Sequence, residues 1–123
     1  MRRFILRGGF AATLVCSLPA FAFAHAHMAE AVPAAGSTLS SAPSEVSIHF
    51  SENLEPRFSG IEVFDVHGGS VTSGPAHLVG DDADHLAVSV KKIGPGTYKV
   101  VWHATSTDTH KTQGSYSFTV APQ

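Results

Sequence analysis

The chain has 123 residues, and its 8 basic and 10 acidic side chains give a formal net charge of −2. This length suits one small domain, and the lack of a basic patch in the sequence argues against nucleic acid and anionic lipid as partners. All eight histidines lie at or after position 25, a density that favours metal or proton chemistry.

The first 24 residues have the pattern of a secretory signal peptide. Three arginines precede an apolar run over residues 8–18, and Ala-Phe-Ala at 22–24 supplies the small residues that a signal peptidase recognises. The apolar run is too short to span a bilayer, so we expect no transmembrane helix and no membrane insertion of the mature chain. Cleavage after residue 24 would leave residues 25–123 as one domain that begins with His25.

Cleavage at this point would also change the composition of the domain. Five basic residues would remain against ten acidic ones, a net charge of −5. Cys16, the sole cysteine, would leave with the leader, so the mature domain would contain no disulfide. Lipid attachment at Cys16 is the alternative, but Val15 stands where a small residue is expected.

Period-two alternation of apolar and polar residues predicts five strands after residue 44. The apolar positions are Val46, Ile48 and Phe50; Ile61 and Val63; Leu86, Val88 and Val90; Tyr98, Val100 and Trp102; and Tyr116, Phe118 and Val120. We expect Trp102 to be the central aromatic residue of the core. Residues 26–32 are expected to form a further, first strand.

Turn residues separate these strands, and no window shows a sustained helical period. A single helical turn is expected between Phe50 and Phe58, ahead of Pro56. About seven short strands separated by turns predict an all-β fold, a Greek-key β-sandwich or barrel.

The sequence Asp108-Thr109-His110 carries the strongest metal-binding pattern. In extended backbone, residues two apart project to the same side, so Asp108 and His110 would offer one oxygen and one nitrogen together. A terminal His25 would add its ring and its α-amine, which loses a proton readily to a strong metal ion. Three nitrogens and one oxygen suit Cu(II) better than zinc, calcium or magnesium. Without a metal, Asp108 would merely cap a loop and His110 would be solvated.

Other histidines offer alternatives to this ligand set. A free terminal amine with His27 in third position could wrap Cu(II) in a square plane, but that mode needs a flexible terminus. It conflicts with a first strand over residues 26–32, so we favour His25. His49, His85 and His103 lie on or beside strands, and for them we expect solvated side chains and no metal.

These features resemble the CopC family of periplasmic copper-binding proteins. The matching segments are His-Ala-His at 25–27, His-Phe-Ser-Glu-Asn-Leu at 49–54, Gly-Thr-Tyr-Lys-Val-Val-Trp at 96–102, Ser-Thr-Asp-Thr-His-Lys at 106–111 and Gly-Ser-Tyr-Ser-Phe at 114–118. The resemblance implies a cupredoxin-like or immunoglobulin-like Greek-key fold and one Cu(II) per chain, held by His25, Asp108 and His110. Glu52 is implied to lie near this site.

The same resemblance implies a periplasmic location and delivery to, or cooperation with, an inner-membrane copper transporter of the CopD type. Familiar members of the family also bind Cu(I) through a methionine-rich loop. The corresponding stretch here, residues 65–81, contains no methionine, so we expect no separate Cu(I) site. His67 and His77 occupy this loop, either as a weaker site or as two exposed side chains.

Three functions compete for these residues. The favoured one is a non-enzymatic copper carrier or buffer. A copper-brace oxidative enzyme, related to lytic polysaccharide monooxygenases, is disfavoured because Asp108 would occupy an equatorial position and stabilise Cu(II). A metal-free sandwich module for adhesion or assembly would bind no copper tightly.

Overall fold

The structure is a computed structural model that describes residues 8–9, 12–13 and 25–123. Most of the predicted signal peptide, including the cleavage site after residue 24, lies outside the described residues. The described part of the chain contains no helix that could span a lipid bilayer.

Eight strands and one 3₁₀ turn form two sheets. The strands are β1 (Met28–Val32), β2 (Thr38–Leu39), β3 (Glu45–Phe50), β4 (Gly60–Phe64), β5 (Thr72–Val79), β6 (Asp82–Val90), β7 (Gly96–Thr105) and β8 (Lys111–Val120), and the turn is Pro56–Phe58. One sheet has the order β1-β3-β6-β5 and the other β2-β8-β7-β4. The pairs are antiparallel except for the short parallel pair β2–β8. The predicted all-β Greek-key sandwich is confirmed.

The five strands predicted from alternation appear as β3, β4, β6, β7 and β8. The expectation that residues 65–81 form a loop is wrong, because β5 occupies Thr72–Val79. This strand lies at the edge of its sheet and contains Gly74 and Pro75, which suppress the alternation signal. An edge strand tolerates proline because only one side of its backbone has to pair.

The segment after β3 also differs from the prediction. The 3₁₀ turn begins at Pro56, with the proline at its start, and does not precede it. Residues 51–54 are not helical, and Leu54 is buried and forms an isolated bridge with Ser106. This segment therefore runs from the end of β3 to the end of β7.

The core lies between the two sheets and consists of the inward-facing residues of the alternating strands. Its fully buried members include Val46, Ile48, Val63, Val88, Val100 and Phe118. Trp102 is buried among them, as predicted, with its ring edge-on to Phe50 at 5.2 Å between centroids. Opposite Trp102 on β8 stands Gly114, whose missing side chain leaves room for the indole.

This close approach makes position 114 sensitive to size. A Cβ atom at Gly114 would lie 2.5 Å from Cζ2 of Trp102, so we expect Gly114→Ala to shift the indole and destabilise the domain. Overpacking of this kind costs about 1–3 kcal/mol, measurable as the free energy of unfolding in urea. Gly94→Ala is the matched control, since a Cβ there meets nothing within 4 Å. Equal stability of the two variants would contradict the packing argument.

Candidate metal centre

The chain around His25 is fixed to the end of β3 by Ser51. The backbone N–H of Ser51 donates to the carbonyl of His27 at 2.9 Å, which extends the β1–β3 pairing. The Ser51 hydroxyl accepts from the N–H of His27 at 2.9 Å and donates to the carbonyl of His25 at 3.1 Å. One serine thus satisfies backbone groups on both sides of residue 26.

Ala26 connects the same segment to the second sheet. Its side chain is fully buried, and its carbonyl accepts a hydrogen bond from Oγ1 of Thr112 at 2.6 Å. Thr112 lies at the start of β8, directly after the loop that carries Asp108 and His110. The docking of Ala26 therefore brings His25 beside that loop.

The loop over residues 106–110 joins β7 to β8 in a tight hairpin. The N–H of Ser106 donates to the carbonyl of His110 at 3.0 Å, and the N–H of Thr109 donates to the carbonyl of Ser106 at 2.9 Å. Thr109 adopts a φ of 73°, which is rare for a β-branched residue and marks a constrained turn. The N–H of Thr107 donates to the carbonyl of Asn53 at 3.0 Å, which ties the loop to the segment after β3.

Within this loop Asp108 and His110 are in direct contact. Oδ2 of Asp108 lies 3.1 Å from Nδ1 of His110, and the Ser106 hydroxyl donates a hydrogen bond to Oδ1 of the same carboxylate. The Ser106 hydrogen bond, followed by that of His110, lowers the pKa of Asp108 below its ordinary value. The side chains of Asp108 and His110 remain 50% and 36% exposed, so the pair is open to an incoming ion.

The structure places the third predicted ligand next to this pair. The ring centroids of His25 and His110 are 5.0 Å apart, with 71° between the ring planes. Nδ1 of His25 is buried and has no hydrogen-bond partner among the described residues. A buried polar nitrogen without a partner is costly, and a bound metal ion would satisfy it. The chemistry of these residues fits a metal ion bound by two imidazoles and one carboxylate. Among residues 25–123, however, the ligand atoms of His25, Asp108 and His110 do not all lie within 4.8 Å of one another, so an ion would have to draw these side chains together.

His27 and Glu52 are the two other residues that the sequence associates with this site. The ring of His27 is exposed, and its centroid is 6.2 Å from that of His25. Glu52 is half-buried, and within residues 25–123 no side-chain hydrogen bond or ion pair links it to the three predicted ligands. The ring contact of His27 is therefore with His25, and no hydrogen bond among residues 25–123 joins Glu52 to the Asp108–His110 pair.

Sequence reasoning missed the three hydroxyl residues that hold the predicted ligands in place. Ser51 and Thr112 fix the backbone of His25–His27, and Ser106 holds Asp108. Ser106 could have been suspected, because a hydroxyl two residues before a loop carboxylate is within local reach. Ser51 and Thr112 are 26 and 86 residues from the groups they bind, and no local pattern signals such contacts.

The remaining histidines divide into two groups. His49 and His85 are half-exposed on the outer face of their sheet, and His103 is exposed with its ring over Gly60. His67 follows β4 in a turn, whereas His77 lies in β5. Among residues 25–123, no cluster of three metal-ligating side chains contains His67 or His77.

The Ser106–Asp108 contact has a consequence for pH dependence. Because the pKa of Asp108 is lowered in the folded chain, its ionised form stabilises the fold at neutral pH. That contribution is lost as the pH falls from the ordinary value of 3.8 through the lowered one. We expect Ser106→Ala to raise the pKa of Asp108 toward its ordinary value, as followed by NMR titration of the metal-free domain.

The exposed residue Ser117, on β8, provides the control for this titration. Ser117→Ala should leave the titration midpoint of Asp108 unchanged. A midpoint in the Ser106→Ala variant equal to that of the unsubstituted chain would show that the hydroxyl does not stabilise the carboxylate.

Known proteins with a similar sequence or fold point to one family. The family model described as "CopC domain" matches residues 28–121. The protein YobA of Escherichia coli K12 is 37% identical over 99 residues, which cover 80% of this chain and 80% of YobA. Copper resistance protein C of Pseudomonas syringae pv. tomato is 35% identical over 117 residues, 90% of each chain. The crystal structure of CopC from Methylosinus trichosporium OB3b superposes with a TM-score of 0.75 at 29% identity, covering 80% of this chain and 96% of that one.

Proposed function

Since this chain belongs to the CopC family, whose members are copper-binding proteins of copper resistance, we propose that it binds one Cu(II) ion per chain in the periplasm. The proposed ligands are His25, Asp108 and His110. The function is sequestration of Cu(II) and its delivery to an inner-membrane transporter of the CopD type. The signal-peptide pattern of residues 1–24 supports export.

The observation that carries this proposal is the position of the His25 ring. It lies 5.0 Å from the ring of His110, which itself contacts Asp108, and its buried Nδ1 has no partner among the described residues. Two imidazoles with a carboxylate form a nitrogen-rich set with one hard oxygen, which favours Cu(II) over alkaline-earth ions. The α-amine released by cleavage after residue 24 would complete the set as a third nitrogen.

The docking of the terminal segment favours His25 over His27 as the ligand. A square-planar complex through His27 requires deprotonated backbone amides at positions 26 and 27. The amide of His27 already donates to Ser51, and Ala26 is buried. Forming that complex would cost these contacts, whereas binding through His25 keeps them.

The proposed site is specific for one oxidation state. Met28 is the only methionine after residue 24, so the domain lacks the set of thioethers that would select Cu(I). A protein with a single Cu(II) site can buffer or hand over that ion, but it has no second site to receive the reduced form.

The role of the α-amine can be tested with one added residue. We expect a processed chain that carries an extra alanine before His25 to bind Cu(II) more than 100-fold more weakly than the chain that begins at His25. Loss of even a supporting partner of a ligand costs about 10- to 100-fold, and here a ligand itself is lost. Isothermal titration gives the affinities, and electron paramagnetic resonance counts the nitrogen ligands.

Two further variants distinguish the loss of a proposed ligand from the loss of a residue that only holds a ligand in place. His110→Ala should weaken Cu(II) binding as strongly as the added residue, because it removes a proposed ligand. Ser51→Ala keeps every donor but frees residues 25–27, so a smaller loss, about 10-fold, is expected. Unchanged affinity in both the extended chain and His110→Ala would refute the proposed ligand set.

We further propose that the protein is a carrier and not an oxidative enzyme. An anionic oxygen from Asp108 stabilises Cu(II) relative to Cu(I) and so opposes the reduction that oxygen activation requires. With ascorbate and one equivalent of copper, we expect hydrogen peroxide to form more slowly than with free copper. Turnover well above that of free copper, or cleavage of a polysaccharide, would favour the copper-brace alternative.

A further inference from the structure

A second group of metal-ligating side chains lies outside the site described above. Among residues 25–123, His49, Asp82 and His85 each offer one ligand atom, and these atoms all lie within 4.8 Å of one another. We propose that this trio is a second, weaker site for a divalent metal ion of the class that prefers imidazole, such as Zn(II). The inference is independent of the proposed Cu(II) site, since it uses none of its ligands.

The β3–β6 register creates the histidine pair. His49 and His85 stand directly opposite each other on adjacent antiparallel strands, so their side chains share one face. The flanking residues Ile48, Phe50 and Leu86 are buried, which places both histidines on the outer face of the sheet. Their rings are stacked with centroids 3.7 Å apart and 19° between planes.

An irregularity in the pairing of β5 with β6 brings the carboxylate of Asp82 close to the two histidines. The register between β5 and β6 shifts between Leu78 and Val79, so that Val79 pairs with Asp82. Such irregularities redirect side chains and break strict alternation. Asp82 is exposed, and its carboxylate lies within 4.8 Å of both histidine nitrogens.

The three side chains are available as ligands, because none of them is engaged in another polar interaction within the described part of the chain. Across residues 25–123, no side-chain hydrogen bond or ion pair engages His49, Asp82 or His85. Zinc binds imidazole nitrogen and carboxylate oxygen at about 2.0–2.2 Å, so side-chain rotations that close the group by about 1 Å would put all three atoms at bonding distance.

The surroundings favour a cation. Asp81 and Asp84 flank Asp82 in sequence, and Glu30 of β1 pairs with His49. The resulting negative potential raises the local concentration of divalent ions. Three protein ligands on an exposed face leave positions open to water, so the site should exchange its ion more readily than the Cu(II) site.

The test uses the processed chain with one equivalent of Cu(II) added, which occupies the tighter site, followed by titration with Zn(II). Isothermal titration should show one bound Zn(II) that is weakened at least 10-fold in His49→Ala and in His85→Ala, since each removes a ligand. Asp82→Asn should weaken Zn(II) while preserving side-chain shape. His77→Ala is the matched control and should bind Zn(II) normally, because His77 lies on the adjacent strand outside the trio.

A second measurement needs no substitution. Imidazole NMR signals of the unsubstituted, metal-free chain should shift at His49 and His85 when Zn(II) is added beyond one equivalent. Zn(II) shifts confined to His25, His27 and His110, or His49→Ala and His85→Ala variants that bind Zn(II) as the parent does, would overturn the proposal. Failure of the Cu(II) site would appear separately, as loss of the tight first equivalent without any effect on these two histidines.

Discussion

The docking of residues 25–27 against both sheets is the constraint on which the proposed metal centre depends. Ordering the backbone costs about 1–2 kcal/mol per residue, and an unanchored His25 would pay that cost each time it met an ion. Here the hydrogen bonds of Ser51 and Thr112, each contributing about 0.5–1.5 kcal/mol, and the burial of Ala26 offset it in advance. His25 is therefore held beside His110 without a metal ion, so that a bound ion would not have to order this segment.

The second half of the centre is equally preorganised, but by its own loop. Ser106 closes the hairpin through its backbone and holds the Asp108 carboxylate through its hydroxyl, while Thr109 accepts an unfavourable φ to complete the turn. The two halves meet through the segment after β3. In this segment Ser51 holds residues 25–27, and the carbonyl of Asn53 accepts a hydrogen bond from the N–H of Thr107 in the loop. A change in this short segment would therefore move both halves of the proposed ligand set.

Local pattern determined much of this architecture, and tertiary context determined the rest. Alternation predicts strands such as β3 and β7 because one face of each meets the core. It misses β5, which contains Gly74 and Pro75. The strand tolerates these two residues because it lies at the edge of its sheet. The motif Asp108-Thr109-His110 was visible as a ligand pattern, whereas the contact of Ser51 with His25 depends on a pairing 26 residues distant and leaves no local trace.

The same limit applies to His49 and His85, which sequence reasoning treated as separate solvated side chains. Their pairing follows from the β3–β6 register, which is known only once the strand order is known. Because β3 carries His49 and leads directly into Ser51, one strand end supports both clusters. Two bound dications near one strand end would repel each other, and the carboxylates of Asp82 and Asp108 reduce that repulsion by placing a negative charge at each cluster.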